Sequence, residues 1–372
     1  MNKKKLIFAA VLMVLAIGFI LWDMISHRQD IDAFSGATPQ ALVQDVPDGL
    51  ALTVDGKVKQ VYYFSPRALR LLAKIRLRVP EISPRGEILG AYIYYGIPVI
   101  HIMEGVAPKI EETAAFDRPL DMAVIFTSAS GQTSVFSYGE LTMTDDRFPV
   151  TLAFHREPLM PSKDPGSYTR NKYMENLEGL RLICPREPDT SRYLDNVVRM
   201  TLTSVGTPDH LLPPLKKGKK CVSTSIDCID DGKVKPAAYK NVETLKQSGW
   251  LRIGHGRGIK GDGYFTATGY SLVSFLKENF PGCGGDDFFL VVGCDGYRAL
   301  FSGREIFFTA ASKTFMLVNT LNGKEPREGK AIAAVADFFV DRDVKGVSHI
   351  VRIKNPKLEY RNSKVPGGDT LL

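Results

Sequence analysis

VVGCDGYRALFSGREI, residues 291–306, runs from an apolar segment through a Cys-Asp-Gly turn into a second half-apolar segment, then to a basic and an acidic residue. This order predicts a strand, a tight turn and a second strand. An earlier stretch, TSASGQTSVFSYGEL at residues 127–141, aligns with it without gaps when Gly131 is placed on Gly296. The identical pairs are then Phe136 and Phe301, Ser137 and Ser302, and Glu140 and Glu305. The match predicts that one structural unit occurs twice.

The surroundings of the two stretches repeat as well. In each half a strand and a turn lead into a helical segment, and further apolar strands that end in turns precede a closing strand. Between residues 204 and 239 proline, lysine and short polar residues dominate, and no helical or strand period survives. We therefore predict an α+β protein with two similar β-rich domains at 48–203 and 240–354, a linker at 204–239 and a polar tail at 355–372.

Several short motifs follow one another in a specific order. They are LTVDGKV (52–58), SPRALRLL (65–72), YGIPVIHIM (95–103), TGYSLVSFL (268–276), CDGYRALFS (294–302), LNGKEP (321–326) and DVKGVSHIVRI (343–353). This order resembles the molybdopterin-binding domain of the sulfite-oxidase-like oxidoreductases, in a degenerate and tandem form. The resemblance covers about two thirds of the chain, and the second half carries the better match.

The resemblance implies a molybdopterin (molybdenum) cofactor and redox catalysis. It places the turn at Asp295 near the mouth of the site, with Asp295 and Tyr297 as catalytic candidates and Arg298 as a cofactor-binding candidate. Electrons would leave through a separate electron-transfer protein, because the chain has no Cys-x-x-Cys-His haem motif. Turn chemistry alone also explains the Asp-Gly pair, since glycine accepts positive φ and the carboxylate bonds the nearby backbone.

A glycine-rich segment, GHGRGIKGDGYF at residues 254–265, offers a second candidate site. Its glycines allow backbone amides to turn inward around an anion, and His255, Arg257 and Lys260 add cationic side chains. We therefore predict that these three residues bind the phosphate of an anionic cofactor. The alternative is an exposed loop whose charges have no ligand.

The chain departs from the family at the metal ligand. Members of the family hold molybdenum through a cysteine thiolate ahead of the Gly-x-x-L turn, and the matching stretches at 75–96 and 251–269 contain no cysteine. Because a thiolate sets the charge and softness of the metal site, its loss separates two hypotheses. The chain is a molybdopterin-type oxidoreductase, or it is a non-catalytic binding or scaffolding module that keeps the fold without molybdenum.

The N-terminus predicts export. Lys3, Lys4 and Lys5 precede 17 apolar or small residues from Leu6 to Trp22. This pattern is typical of a secretory signal or an uncleaved anchor within residues 1–30, and the length of the run favours the anchor. We therefore predict an extracytoplasmic protein, attached to the cytoplasmic membrane through residues 6–22 or secreted.

The distribution of charged residues and of cysteines narrows the classes of function that remain. The net charge of +7 comes from the N-terminal lysines and from KKGKK at 216–220, so the body offers no basic surface for nucleic acid. The histidines and cysteines lack metal-site spacing, so no metal ligand is predicted. In an oxidising compartment, local disulfides Cys221–Cys228 and Cys283–Cys294 would leave Cys184 as a small buried side chain.

Overall fold

The structure is a computed structural model, and residues from Pro47 onward form one compact unit. It describes residues 46–111, 116–144, 147–159, 175–216, 221–249, 252–253, 261–262, 265–334 and 337–354. The predicted anchor at 6–22, the predicted tail at 355–372 and the candidates His255, Arg257 and Lys260 lie outside these ranges. Within the described ranges, no helix is long and apolar enough to cross a bilayer.

The first half, residues 52–204, is built mainly of strands. Its elements are β1 (Leu52–Gly56), β2 (Tyr62–Phe64), α1 (Pro66–Leu71), β3 (Ile75–Ile82), β4 (Ile88–Pro98), α2 (Val99–Glu104), β5 (Met122–Ser128), β6 (Thr133–Ser137), α3 (Tyr138–Thr142), β7 (Thr151–Pro158), β8 (Glu175–Ile183) and β9 (Leu194–Ser204). Helix α1 begins as predicted, because Ser65 accepts a hydrogen bond from the amide of Ala68 and Pro66 occupies the first turn.

The second half, residues 227–354, has the same character. Its elements are β10 (Asp227–Asp230), β11 (Lys233–Pro236), β12 (Thr244–Gly249), β13 (Arg252–Ile253), β14 (Gly261–Asp262), β15 (Phe265–Ser271), α4 (Leu272–Asn279), β16 (Asp287–Gly293), β17 (Arg298–Ser302), α5 (Gly303–Phe308), β18 (Phe315–Leu321), β19 (Ala331–Ala334) and β20 (Val347–Lys354). The chain is therefore β-rich with few and short helices, in agreement with the predicted class.

Strand order is the same in the two halves. In the first half the order β2-β1-β9-β5-β6 has one parallel pair, β1 with β9, and in the second half β11-β10-β20-β16-β17 has one parallel pair, β10 with β20. The antiparallel series β3-β4-β7-β8 likewise corresponds to β12-β15-β18-β19. One pairing differs, since β8 also pairs with β9 and joins the first-half strands into a single sheet.

A β-bulge occurs at the same place in both halves. The β4–β7 register shifts at Gly96 and leaves Phe154 unpaired, and the β15–β18 register shifts at Gly269 and leaves Asn319 unpaired. A Cβ atom on Gly96 would lie 2.6 Å from the carbonyl oxygen of Leu152, and one on Gly269 would lie 2.1 Å from that of Leu317. Both bulges therefore need glycine, because the partner backbone approaches too closely for any side chain.

The halves meet through an apolar core. Side chains of β5 and β6 pack against those of β16, β17 and β20, including Ala123, Val135, Leu290, Leu300 and Val351. The two stretches that open the sequence comparison thus form β5–β6–α3 and β16–β17–α5, which face each other across this core. Burial of this apolar surface stabilises the contact between the halves.

One expectation, the disulfide pairing, needs correction, and one strand pair lies where no regular structure is predicted. Strands β10 and β11 lie inside the predicted linker at 204–239 and pair with each other and with β20, so regular structure of the second half begins at Asp227. The disulfide joins Cys221 to Cys294, not either local pair. Cys228 cannot bridge Cys221, because its side chain is fully buried in the second-half core.

Candidate functional site

The turn that contains the predicted catalytic residue Asp295 is held by hydrogen bonds to the backbone. Asp295 lies between β16 and β17, where its Oδ1 accepts a hydrogen bond from the Tyr297 amide at 3.0 Å and Gly296 has φ of 83°. The carbonyl oxygen of Asp295 accepts a further bond from the amide of Lys216 at 2.6 Å. These contacts are those of an Asp-Gly turn.

The side chains of Tyr297 and Arg298 also form polar contacts with neighbouring residues. The Tyr297 hydroxyl donates to the carbonyl oxygen of Asp341 at 2.5 Å, and burial raises the pKa of Tyr297 to about 12. Arg298 is 2% exposed, and its Nη1 donates to Asp209 at 2.7 Å. Neither side chain lines the cavities of about 30 Å³ and 350 Å³ that are described below.

The second half contains a polar cavity of about 350 Å³. Its wall combines hydroxyl, amide, phenol, carboxyl and ammonium groups from several segments, among them Ser223, Thr224, Ser225, Tyr239, Asn319, Glu325 and Lys330. We call this cavity the polar pocket. A concave site with a few convergent polar groups is the usual form of a small-molecule site.

Lys330 supplies a fixed positive charge at the polar pocket. Its Nζ lies 5.7 Å from the ring centroid of Tyr239 and 5.9 Å from that of Tyr270, and the two ring centroids are 5.1 Å apart. Such contacts hold an ammonium group in place over the ring faces. Among the described residues no carboxylate forms an ion pair with Lys330, although Glu325 also lines the polar pocket.

Asn319 brings an unsatisfied polar atom to the same pocket. Its Oδ1 is buried and has no hydrogen-bond partner among the described residues. The residue follows the buried run Phe315–Val318 and sits at the bulge, which turns its side chain out of the regular alternation of the strand. An unsatisfied buried polar atom costs free energy unless a ligand or water bonds to it.

A second polar cluster lies where the halves meet. Ser137 and Ser302 cap helices α3 and α5, accepting bonds from the amides of Glu140 and Glu305 at 3.1 Å in both helices. Each serine also donates across the interface, Ser137 to Glu305 at 3.3 Å and Ser302 to Glu140 at 2.9 Å. The contact is reciprocal, as in a twofold interface between identical units.

Two arginines complete the cluster in matching positions. Arg192 donates to Glu140 at 3.0 Å and lies over the Phe136 ring, while Arg342 donates to Glu305 at 2.7 Å and lies over the Phe301 ring. The adjoining cavity is only about 30 Å³, room for a water molecule and not for a substrate. This cluster therefore joins the halves and is not a ligand site.

Charge balance in the cluster perturbs Glu305. Burial raises the pKa of Glu305 to about 7; the nearby Arg342 opposes this rise, and Glu140 adds to it. The carboxyl is 3% exposed and also accepts a bond from the amide of Ser302 at 2.8 Å. The pKa of Glu305 is therefore raised because burial outweighs the favourable charge of Arg342.

The cysteines do not fit a molybdenum site. All five lie within the described ranges, and Cys221 and Cys294 are bridged. Burial raises the pKa of Cys228 to about 12, raises that of Cys184 well above its usual range, and raises that of the half-buried Cys283. Cys184 and Cys228 are buried, and none of the three free thiols lines the polar pocket. Nor do the described residues group three His, Cys, Asp or Glu side chains around a metal position.

Comparison with known proteins adds a distant likeness. No protein-family model matches the chain, and neither does any curated protein. A solved structure, the sulfane dehydrogenase SoxCD from Paracoccus pantotrophus, is similar at 12% identity and a TM-score of 0.31, over 80% of this chain and 78% of that chain. At this TM-score the likeness carries no argument about the site.

Sequence reasoning missed the residues of the polar pocket. Tyr239 was assigned to the linker, and Lys330 lies in the turn that follows the Asn322-Gly323 motif. One signal was present, because Asn319 interrupts the apolar run FMLV at 315–318. A polar residue directly after such a run marks a bulge or a buried site.

Proposed function

We propose that this protein is an extracytoplasmic binding protein that holds a small anionic molecule in the polar pocket and works without molybdenum. The observation that carries the proposal is Lys330, whose ammonium lies near two tyrosine rings at the pocket wall and forms no ion pair among the described residues, although Glu325 lines the same pocket. The lack of a cysteine in the stretches at 75–96 and 251–269, where the resemblance places the metal ligand, supports a binding role over thiolate-supported redox catalysis.

Charge and hydrogen bonding define the ligand class. The ligand carries a negative group for Lys330. Hydroxyl groups of Thr224 and Ser225 line the opposite wall and can donate to anionic oxygens. Hydrogen phosphate and phosphate monoesters combine these features, and charge-assisted bonds to such oxygens are the strong kind.

The compartment follows from the disulfide and the N-terminus. Disulfides persist in oxidising compartments, so the Cys221–Cys294 bridge supports export. The lysine flank and the apolar run Leu6–Trp22 support attachment to the cytoplasmic membrane with the body of the protein outside. Under this proposal no electron-transfer partner is needed.

The test is calorimetric titration of the full-length protein with inorganic phosphate. Wild type is expected to bind, and Lys330→Ala is expected to bind at least about tenfold more weakly, since it loses one charge-assisted contact. Lys324→Ala is the matched control, because Lys324 is an exposed lysine of the neighbouring turn that does not line the polar pocket. Equal affinity in wild type and Lys330→Ala, or no binding by wild type, would overturn the proposal.

A further inference from the structure

The disulfide lies directly beside one wall of the polar pocket. It joins Cys221 to Cys294 with a Cα separation of 5.8 Å and closes a stretch of the chain 73 residues long. The hydroxyl wall, Ser223–Ser225, begins two residues after Cys221 and ends where Ile226 enters the core. The bridge therefore links the N-terminal end of the hydroxyl wall to the turn between β16 and β17.

Few other contacts hold that wall. The amide of Ser223 donates to the carbonyl oxygen of Glu328 at 3.0 Å, and the side chains of Thr224 and Ser225 are exposed apart from their contact with the pocket. Gly329 packs against the same segment so closely that a Cβ atom there would lie 2.2 Å from the carbonyl oxygen of Ser223. The fit depends on Ser223 staying where the bridge places it.

The other end of the bridge anchors the opposite wall. The amide of Cys294 donates to the carbonyl oxygen of Gly346 at 2.9 Å, and the amide of Val347 donates to that of Lys330 at 2.8 Å. The bridge, the start of β20 and the backbone of Lys330 thus form one connected series. Through it, the disulfide links the hydroxyl wall to the residue that supplies the positive charge.

We propose that the redox state of Cys221–Cys294 sets the anion affinity of the polar pocket; this inference rests on the proposed function. With the bridge intact, the hydroxyl wall is ordered before the ligand arrives, and binding does not have to supply that ordering. With the bridge reduced, residues 221–225 gain freedom and part of the binding free energy is spent on restraining them.

The chemistry is a thiol–disulfide exchange with a dithiol reductant. The reductant's thiolate attacks one sulfur and its second thiol completes the exchange, so the S–S bond of the protein breaks and the reductant closes its own disulfide. Two electrons and two protons pass to Cys221 and Cys294, which become thiols. Both residues are partly exposed, so the reductant can reach them.

The experiment compares phosphate titrations of the full-length protein before reduction, after dithiothreitol treatment and after reoxidation. Reduction is expected to weaken binding about tenfold, and reoxidation is expected to restore it. The double variant Cys221→Ser/Cys294→Ser should match the reduced protein. Cys283→Ser removes a half-buried thiol away from the pocket and should change nothing. Equal affinity in the oxidised and reduced forms would overturn the inference.

A ligand-free measurement separates this inference from the proposed function. Hydrogen exchange at the Ser223 amide should become faster on reduction, because its bond to Glu328 loses the nearby restraint. Unchanged exchange overturns the inference even if phosphate binds. Faster exchange with no phosphate binding in either form overturns the proposed function, and the claim about affinity falls with it, although the bridge is then shown to restrain the segment.

Discussion

The two halves have the same strand order and the same bulge, but the residue at the bulge differs between them. At the first-half bulge Phe154 is 1% exposed and packs into the core, whereas at the second-half bulge Asn319 lines the polar pocket. The backbone is shared, so the difference lies in side chains. In the first half an aromatic ring occupies the bulge position, and in the second half a polar side chain at that position borders an open cavity.

Buried charge is also used differently. In the first half Arg181 and Tyr94 both donate to Glu81, at 2.9 and 2.5 Å, and Glu157 is fully buried against Tyr95. The Oε2 of Glu157 and the Nε of Arg181 have no hydrogen-bond partner among the described residues, but neither residue lines the polar pocket. In the second half Lys330 and the Oδ1 of Asn319 lack such partners among the described residues. Satisfied groups stabilise a fold, while unsatisfied groups that line a cavity are suited to a ligand.

The largest expected effect tests the equivalence of the halves. Arg342→Ala and Arg192→Ala each leave buried carboxylates without their partner and should lower the free energy of unfolding by about 3–5 kcal/mol. Urea denaturation measures it, with the exposed Arg327→Ala as the control, expected to be within about 0.5 kcal/mol of wild type. A large effect at only one of the two buried arginines would show that the interface is not equivalent.

A reciprocal exchange at the bulge should sharpen the comparison. Phe154→Asn is expected to cost about 3 kcal/mol of stability, because it removes a buried ring and introduces a polar group. Asn319→Phe should cost less than about 1 kcal/mol, since its side chain borders open space, but it should abolish phosphate binding. Thermal denaturation and phosphate titration check both halves of the prediction, and similar costs in the two variants would contradict it.

A smaller effect concerns pH. Because the pKa of Glu305 is raised to about 7 in the folded protein from 4.5, the folded state keeps a proton that the unfolded chain releases between these values. The free energy of unfolding should therefore fall as the pH rises from 4.5 to about 7, by about 2 kcal/mol. Urea midpoints measured across this range test it. In Glu305→Gln this part of the slope should disappear, and an unchanged slope would assign it to another group.

Much of the fold could be predicted from local patterns. The match of Phe136 with Phe301 and Glu140 with Glu305 corresponds to equivalent strands and helices, because turn residues and helix caps act over a few residues. The division into two domains at the predicted boundaries stays a prediction. The pairing of β10 with β20 and the Cys221–Cys294 bridge could not be predicted, since both join segments far apart in sequence.

The site was harder to predict than the fold. Asp295, Tyr297 and Arg298 were chosen through a family resemblance, and the structure shows them in turn, hydrogen-bond and ion-pair contacts. The polar pocket depends on residues from five separate segments, so no single motif reveals it. Only the position of Asn319 after an apolar run gave a local indication.

The central claim is that the chain is an anion-binding protein without a thiolate for molybdenum. The most direct test is the molybdenum content of the full-length protein purified from its native host, measured by mass spectrometry against protein concentration. We predict far less than one molybdenum atom per chain, because the stretches at 75–96 and 251–269, which match the position of the family's ligand, contain no cysteine. One molybdenum atom per chain, lost on Cys283→Ser or Cys184→Ser, would contradict the claim and restore the oxidoreductase hypothesis.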